Sequence, residues 1–96
     1  MGMKQKDRLQ ANVEDLALIV TTISKKLEKK INSRGFGIYC SVHEIYGIIA
    51  EEVHELMEAT HKNNYKEFDD ELIDIAVACL WGLISMKVLR RNKIYE

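Results

Sequence analysis

The chain has no proline and only two cysteines among its 96 residues, and its 14 basic side chains are nearly balanced by 15 acidic ones. Without proline no helix interior is forced to kink or stop, so long uninterrupted helices are open to it. Cys40 and Cys79 are too few for a disulfide framework. Cys79 stands in an apolar run and reads as a small buried thiol, which fits a reducing cytoplasm. A formal charge of −1 leaves no global field to hold a nucleic-acid backbone or an anionic membrane, so an anionic ligand must be gripped locally. The longest apolar run, Ile75 to Met86 with Gly82 and Ser85 inside it, falls short of the roughly 18 residues that a membrane span needs. The first residues, Met1 to Lys6, carry no apolar leader segment. These absences predict a soluble cytoplasmic protein with neither a nucleic-acid nor a membrane partner.

What is present points to helices. A composition 47% hydrophobic and 30% charged suits a folded chain, and this length bounds one domain over residues 1–96 whose core is small enough to gain from a partner subunit. Leu9, Val13, Leu16, Val20, Ile23, Leu27 and Ile31 recur at spacings of three and four, which draws one apolar stripe down a first helix. The segment Asn32-Ser33-Arg34-Gly35-Phe36-Gly37 ends it, and a loop of about eight residues follows. Ser41 with Glu44 has capping-box spacing and opens a second helix near Val42 that runs to about Lys62. Asn63-Asn64 breaks it, and Asn64 with Glu67 caps a third helix reaching about Arg90. The predicted fold is all-α: three helices with short connections and antiparallel neighbours, completing a helical bundle in a homo-oligomer. The oligomer is expected because Ile75 to Ile84 is apolar on every side, and two short helices cannot cover a whole circumference.

The chemistry concentrates in two runs, Glu51-Glu52-Val53-His54-Glu55 and Glu71-Leu72-Ile73-Asp74. Residues three apart share a helix face, so Glu52 with Glu55 and Glu71 with Asp74 form two carboxylate pairs that antiparallel helices can bring together. Glu52 is the telling member. Val42, Ile45, Ile48, Ile49, Val53, Leu56 and Ala59 define the apolar face of the second helix, and at about 100° per residue Glu52 lies near its centre. An unpaired buried charge costs several kcal/mol, so a cation must compensate it. A hard ion such as Mg²⁺ suits an all-oxygen donor set; a structural ion pair with a lysine of the first helix is the alternative.

These residues resemble the MazG-like nucleotide pyrophosphohydrolases, an all-α superfamily marked by Glu-Glu-x-x-Glu on one helix and Glu-x-x-Asp on the next. Every acidic position of that pattern is filled, with fifteen residues between the two elements, and the resemblance spans residues 41–86, including the lead-in Ser41-Val42-His43-Glu44-Ile45-Tyr46-Gly47. The resemblance implies Mg²⁺-dependent hydrolysis of a nucleoside triphosphate to a monophosphate and pyrophosphate, with nucleotide-pool cleaning as a role and Mn²⁺ as a substitute ion. It implies metal ligation by Glu52, Glu55, Glu71 and Asp74. In-line attack by water needs a positioned base beside the ligands, so Glu51, Glu52 and Glu55 are the expected catalytic set; Glu51 is the surplus carboxylate, either a base or outer-shell residue or a solvated glutamate on the polar side of the helix. A dimer or tetramer is implied as well. Phosphoribosyl-ATP pyrophosphohydrolase shares the acidic logic, but its basic, serine-rich lead-in is missing here; a non-catalytic helical interaction protein is the remaining rival.

Other candidates read as surface or packing. Glu51, His54, Glu58 and His61 have the Glu-x-x-His spacing of di-iron bundles, but both copies fall on one helix, on the side away from the apolar stripe, and His43 lies there too. Phe36, Tyr39 and Tyr46 could stack on a base or simply cover helix ends, and Trp81 reads as core or interface. Lys25, Lys26, Lys29, Lys30, Arg90 and Arg91 could reach phosphates of a neighbouring subunit, although a charged helix face is ordinarily solvated.

Overall fold

The computed structural model describes residues 8–94, and these form three helices: α1 Val13–Arg34, α2 Val42–His61 and α3 Tyr65–Arg91, with no strand among the described residues. The protein is all-α. Each start is set by a short polar side chain that accepts an otherwise orphaned backbone N–H. Asn12 caps α1 through a reciprocal box: the Asp15 N–H donates to Asn12 Oδ1 at 2.8 Å and the Asn12 N–H to Asp15 Oδ2 at 3.0 Å. That box, and not the apolar spacing, decides where α1 begins, so Leu9 is left outside the helix and fully exposed. Ser41 caps α2 through the Glu44 N–H at 3.2 Å, while the Glu44 carboxylate takes the amide of Cys40, one residue before the cap. Asn64 caps α3 through the Glu67 N–H at 3.1 Å.

Two connections turn the chain. Gly35 ends α1 at φ 84°, a left-handed value where a Cβ would be strained, and its N–H closes onto the Ile31 carbonyl. Asn63 takes φ 55° in the tight link between α2 and α3, a conformation that asparagine tolerates better than most residues. The short link makes α2 and α3 an antiparallel hairpin. They approach closely at Gly82, where an added Cβ would lie 3.0 Å from Ile45 Cγ2.

The third helix organises the rest. Val77, Ala78, Gly82, Ser85 and Leu89 of α3 are buried, with Ala59 from α2. The loop after α1 is pinned to α3 at two points: the Tyr39 N–H donates to the buried Ser85 Oγ at 3.0 Å, and Trp81 Nε1–H donates to the Gly37 carbonyl at 3.1 Å. Phe36 lies tilted against Trp81 with ring centroids 6.5 Å apart.

The first helix packs on α3 alone and makes no comparable contact with α2. It buries no residue completely. Its apolar stripe divides into two parts: Ile23, Leu27 and Ile31 are half-covered, whereas Val13, Leu16 and Val20 remain exposed. Along α3 the side opposite the buried row shows Leu72, Leu80, Leu83 and Ile84. Cys79 is exposed too, which corrects the expectation of a buried thiol: it falls on the uncovered side of the apolar helix. The third helix also carries an 18-residue stretch of mean hydropathy 2.0, long and apolar enough to cross a membrane by length and composition, although no unbroken apolar run reaches that length.

Candidate metal centre

The antiparallel α2–α3 hairpin brings Glu52, Glu55 and Glu71 together, each offering one carboxylate oxygen within 4.8 Å of the other two. The local reason lies in the spacing: Glu52 and Glu55 are one turn apart on α2 and project onto the flank of α3 that carries Glu71. Glu52 and Glu71 are half-buried, and Glu55 is exposed, so the cluster opens to solvent on its Glu55 side. Glu51 is exposed and stands outside this group.

Three carboxylates this close repel one another. Burial, reinforced by Glu55, Glu52 and Asp74, raises the Glu71 pKa to about 7. Glu52 is also raised, first by burial and then by Asp74 and Glu55, with the ammonium of Lys30 partly offsetting them. Glu52 Oε2 and Glu71 Oε1 are buried and have no hydrogen-bond partner among the described residues. A hydrogen bond between the two side chains favours protonated Glu71 and ionised Glu52.

Asp74 stands apart from the other expected ligands. Its Oδ1 lies 2.6 Å from Lys26 Nζ on α1, and it is not one of the three converging carboxylates. A lysine of the first helix does make an ion pair at this site, but with Asp74 and not with Glu52. The surface readings also find their places: Glu51, His43, His54, Glu58 and His61 are exposed, and His54 Nε2 lies 3.6 Å from Glu58 Oε2. Arg34, which sequence spacing gave no reason to single out, lies beside Lys30 and Trp81 at the end of α1. Its only signal was position, since a cation in the last helical turn is commonplace.

In comparisons with protein-family models, curated proteins and solved structures, nothing matches the chain. The functional reading therefore stands on the chemistry of these residues.

Proposed function

We propose that the protein is a Mg²⁺-dependent nucleoside triphosphate pyrophosphohydrolase of the MazG-like kind, acting as a homo-oligomer in the cytoplasm. One observation carries the reading: Glu52, Glu55 and Glu71 converge to within 4.8 Å, and Glu52 Oε2 and Glu71 Oε1 are buried without a hydrogen-bond partner among the described residues. Hard oxygen donors without cysteine or histidine suit Mg²⁺, with Mn²⁺ as a substitute. A bound divalent ion supplies charge neutralisation on the phosphates.

The chain's own residues have separable parts. Glu52 and Glu71 would hold the ion from the covered side and Glu55 from the solvent side. Asp74 would join them only if freed from Lys26. Glu51, on the solvent side of α2, keeps only an outer part in positioning water. The exposed apolar residues of α1 and α3 support a partner copy, since a helix that buries none of its residues contributes little to a core.

Pyrophosphate release should be measured over a panel of ordinary and modified nucleoside triphosphates with Mg²⁺. The expected result is turnover that Glu71→Gln abolishes. No release from any of them, together with a melting temperature indifferent to Mg²⁺ and Mn²⁺, would reject the reading.

A further inference from the structure

A second feature lies beside the carboxylates and touches them through Lys30. The C-terminal turns of α1, the loop after it and the middle of α3 enclose a cavity of about 100 Å³. Lys30, Arg34, Tyr39 and Trp81 supply its polar and aromatic wall, and Leu27 and Val77 supply apolar wall. We propose that this cavity seats a phosphate-class oxyanion, held by Lys30 and Arg34 beside the carboxylate cluster. The proposal deepens the pyrophosphohydrolase reading by assigning the seat of the phosphate chain, and it rests on that reading only for the identity of the whole substrate.

Charge gives the sign of the ligand. Lys30 and Arg34 make no ion pair among the described residues, whereas the neighbouring Lys26 is committed to Asp74. Lys30 is half-buried and its stem runs along apolar wall, so its ammonium is less well screened than one on an open helix face. No acidic residue lines the cavity wall itself; Lys30 acts on the Glu52 carboxylate of the neighbouring cluster without forming an ion pair with it, and Arg34 has no acidic partner among the described residues. The carbonyl end of the α1 dipole disfavours an anion here. Two cations are needed to reverse that, and the guanidinium of Arg34 offers paired N–H donors in the geometry that phosphate oxygens match.

Size and place give the rest. Pockets for whole drug-sized molecules run from about 300 Å³ upward, so this cavity takes one group of a ligand and not a complete nucleotide. Trp81 has its N–H occupied by Gly37 and offers only a ring, while the Tyr39 hydroxyl makes no hydrogen bond among the described residues and can donate. Along α3, Val77 on the cavity wall is three residues beyond Asp74, about 4.5 Å of helical rise. Lys30 on the cavity wall is also close enough to Glu52 to act on its carboxylate, so one ligand can reach both the cations and the carboxylates.

The test uses the full chain and inorganic pyrophosphate, with orthophosphate beside it, in EDTA. Trp81 is the only tryptophan and lines the cavity, so its fluorescence reports occupancy while calorimetry measures binding independently. Saturable binding that weakens with salt is expected. Arg34→Gln and Lys30→Gln should each weaken it about tenfold or more, the loss of a charge-assisted hydrogen bond; Lys25→Gln, on the same helix but outside the cavity, should leave it unchanged. With Mg²⁺ restored, displacement of pyrophosphate by an α,β-imido nucleoside triphosphate supports a nucleotide source for the anion. Failure of that displacement, with pyrophosphate binding intact, leaves the oxyanion seat standing for free phosphates and counts against the proposed hydrolase. Absence of pyrophosphate and orthophosphate binding by both methods overturns the proposal, as does equal binding by folded Arg34→Gln and Lys30→Gln. So does nucleotide turnover with KM unchanged in both variants.

Discussion

Lys26 Nζ lies 2.6 Å from Asp74 Oδ1, and this contact joins the middle of α1 to the acidic flank of α3. Farther along, Lys30 and Arg34 of α1 meet Val77 and Trp81 of α3, so the two helices run parallel. Under the proposed metal-site role, a divalent cation would compete with this ammonium for Asp74.

Releasing Asp74 should strengthen metal binding. Lys26 and Asp74 are 39% and 27% exposed, so the pair is well solvated and Lys26→Gln should change metal-free stability by no more than about 1 kcal/mol. If Asp74 joins the ligand set, this variant shows a larger rise in Tm with Mg²⁺ than the wild type. An equal or smaller rise removes Asp74 from the ligands.

The carboxylate cluster makes stability depend on pH. Both Glu52 and Glu71 have folded-state pKa values above their unfolded ones, Glu71 at about 7. For a raised acid, the unfolded chain loses its proton first, so stability is fullest below about pH 4.5 and is lost as pH rises through 7. Urea unfolding in EDTA should therefore give a lower midpoint at pH 8 than at pH 5 from this contribution, and Glu71→Gln should flatten the slope.

Glu52→Gln separates the functional from the structural role. In the absence of metal the substitution removes a charge repelled by Asp74 and Glu55, so the metal-free protein should be as stable or more stable while pyrophosphate release is lost. A loss of about 3–5 kcal/mol is the signature of a broken buried ion pair, and finding it by chemical denaturation would overturn the metal-site role of Glu52.

Ser85→Ala tests the anchor of the loop after α1. The buried hydroxyl accepts the Tyr39 N–H, and its removal leaves that donor without a partner at a cost of about 1–3 kcal/mol. Equilibrium unfolding measures the loss, and pyrophosphate affinity should fall with it because Tyr39 lines the cavity.

Assembly follows from the uncovered helices. Leu16, Leu18 and Ile19 on α1 and Leu83 on α3 are all more than half exposed in the protomer, which predicts sedimentation at twice the 11.1 kDa chain mass or more at micromolar concentration. Leu83→Lys should shift the population toward monomer. A wild-type protein that sediments as a soluble monomer rejects the homo-oligomer.

The sequence by itself determined the elements and the acidic faces, because both are local. Ser41 and Asn64 stand within a turn of the amides that they cap, Gly35 supplies the conformation that ends α1, and three-residue spacing puts Glu52 with Glu55 whatever surrounds them. Asn12 with Asp15 was equally local, but the apolar spacing continues past it to Leu9 and conceals the boundary. Tertiary structure alone decided which faces meet. The close approach of Ile45 to Gly82 accompanies the α2–α3 register that brings Glu71 to Glu52 and Glu55. The placement of α1 on α3 gives Asp74 to Lys26, leaves Cys79 uncovered, and sets Lys30 and Arg34 beside Trp81. Helical periodicity fixes directions around one axis; the rotation and offset between two axes come from packing, and no spacing within a single helix contains them.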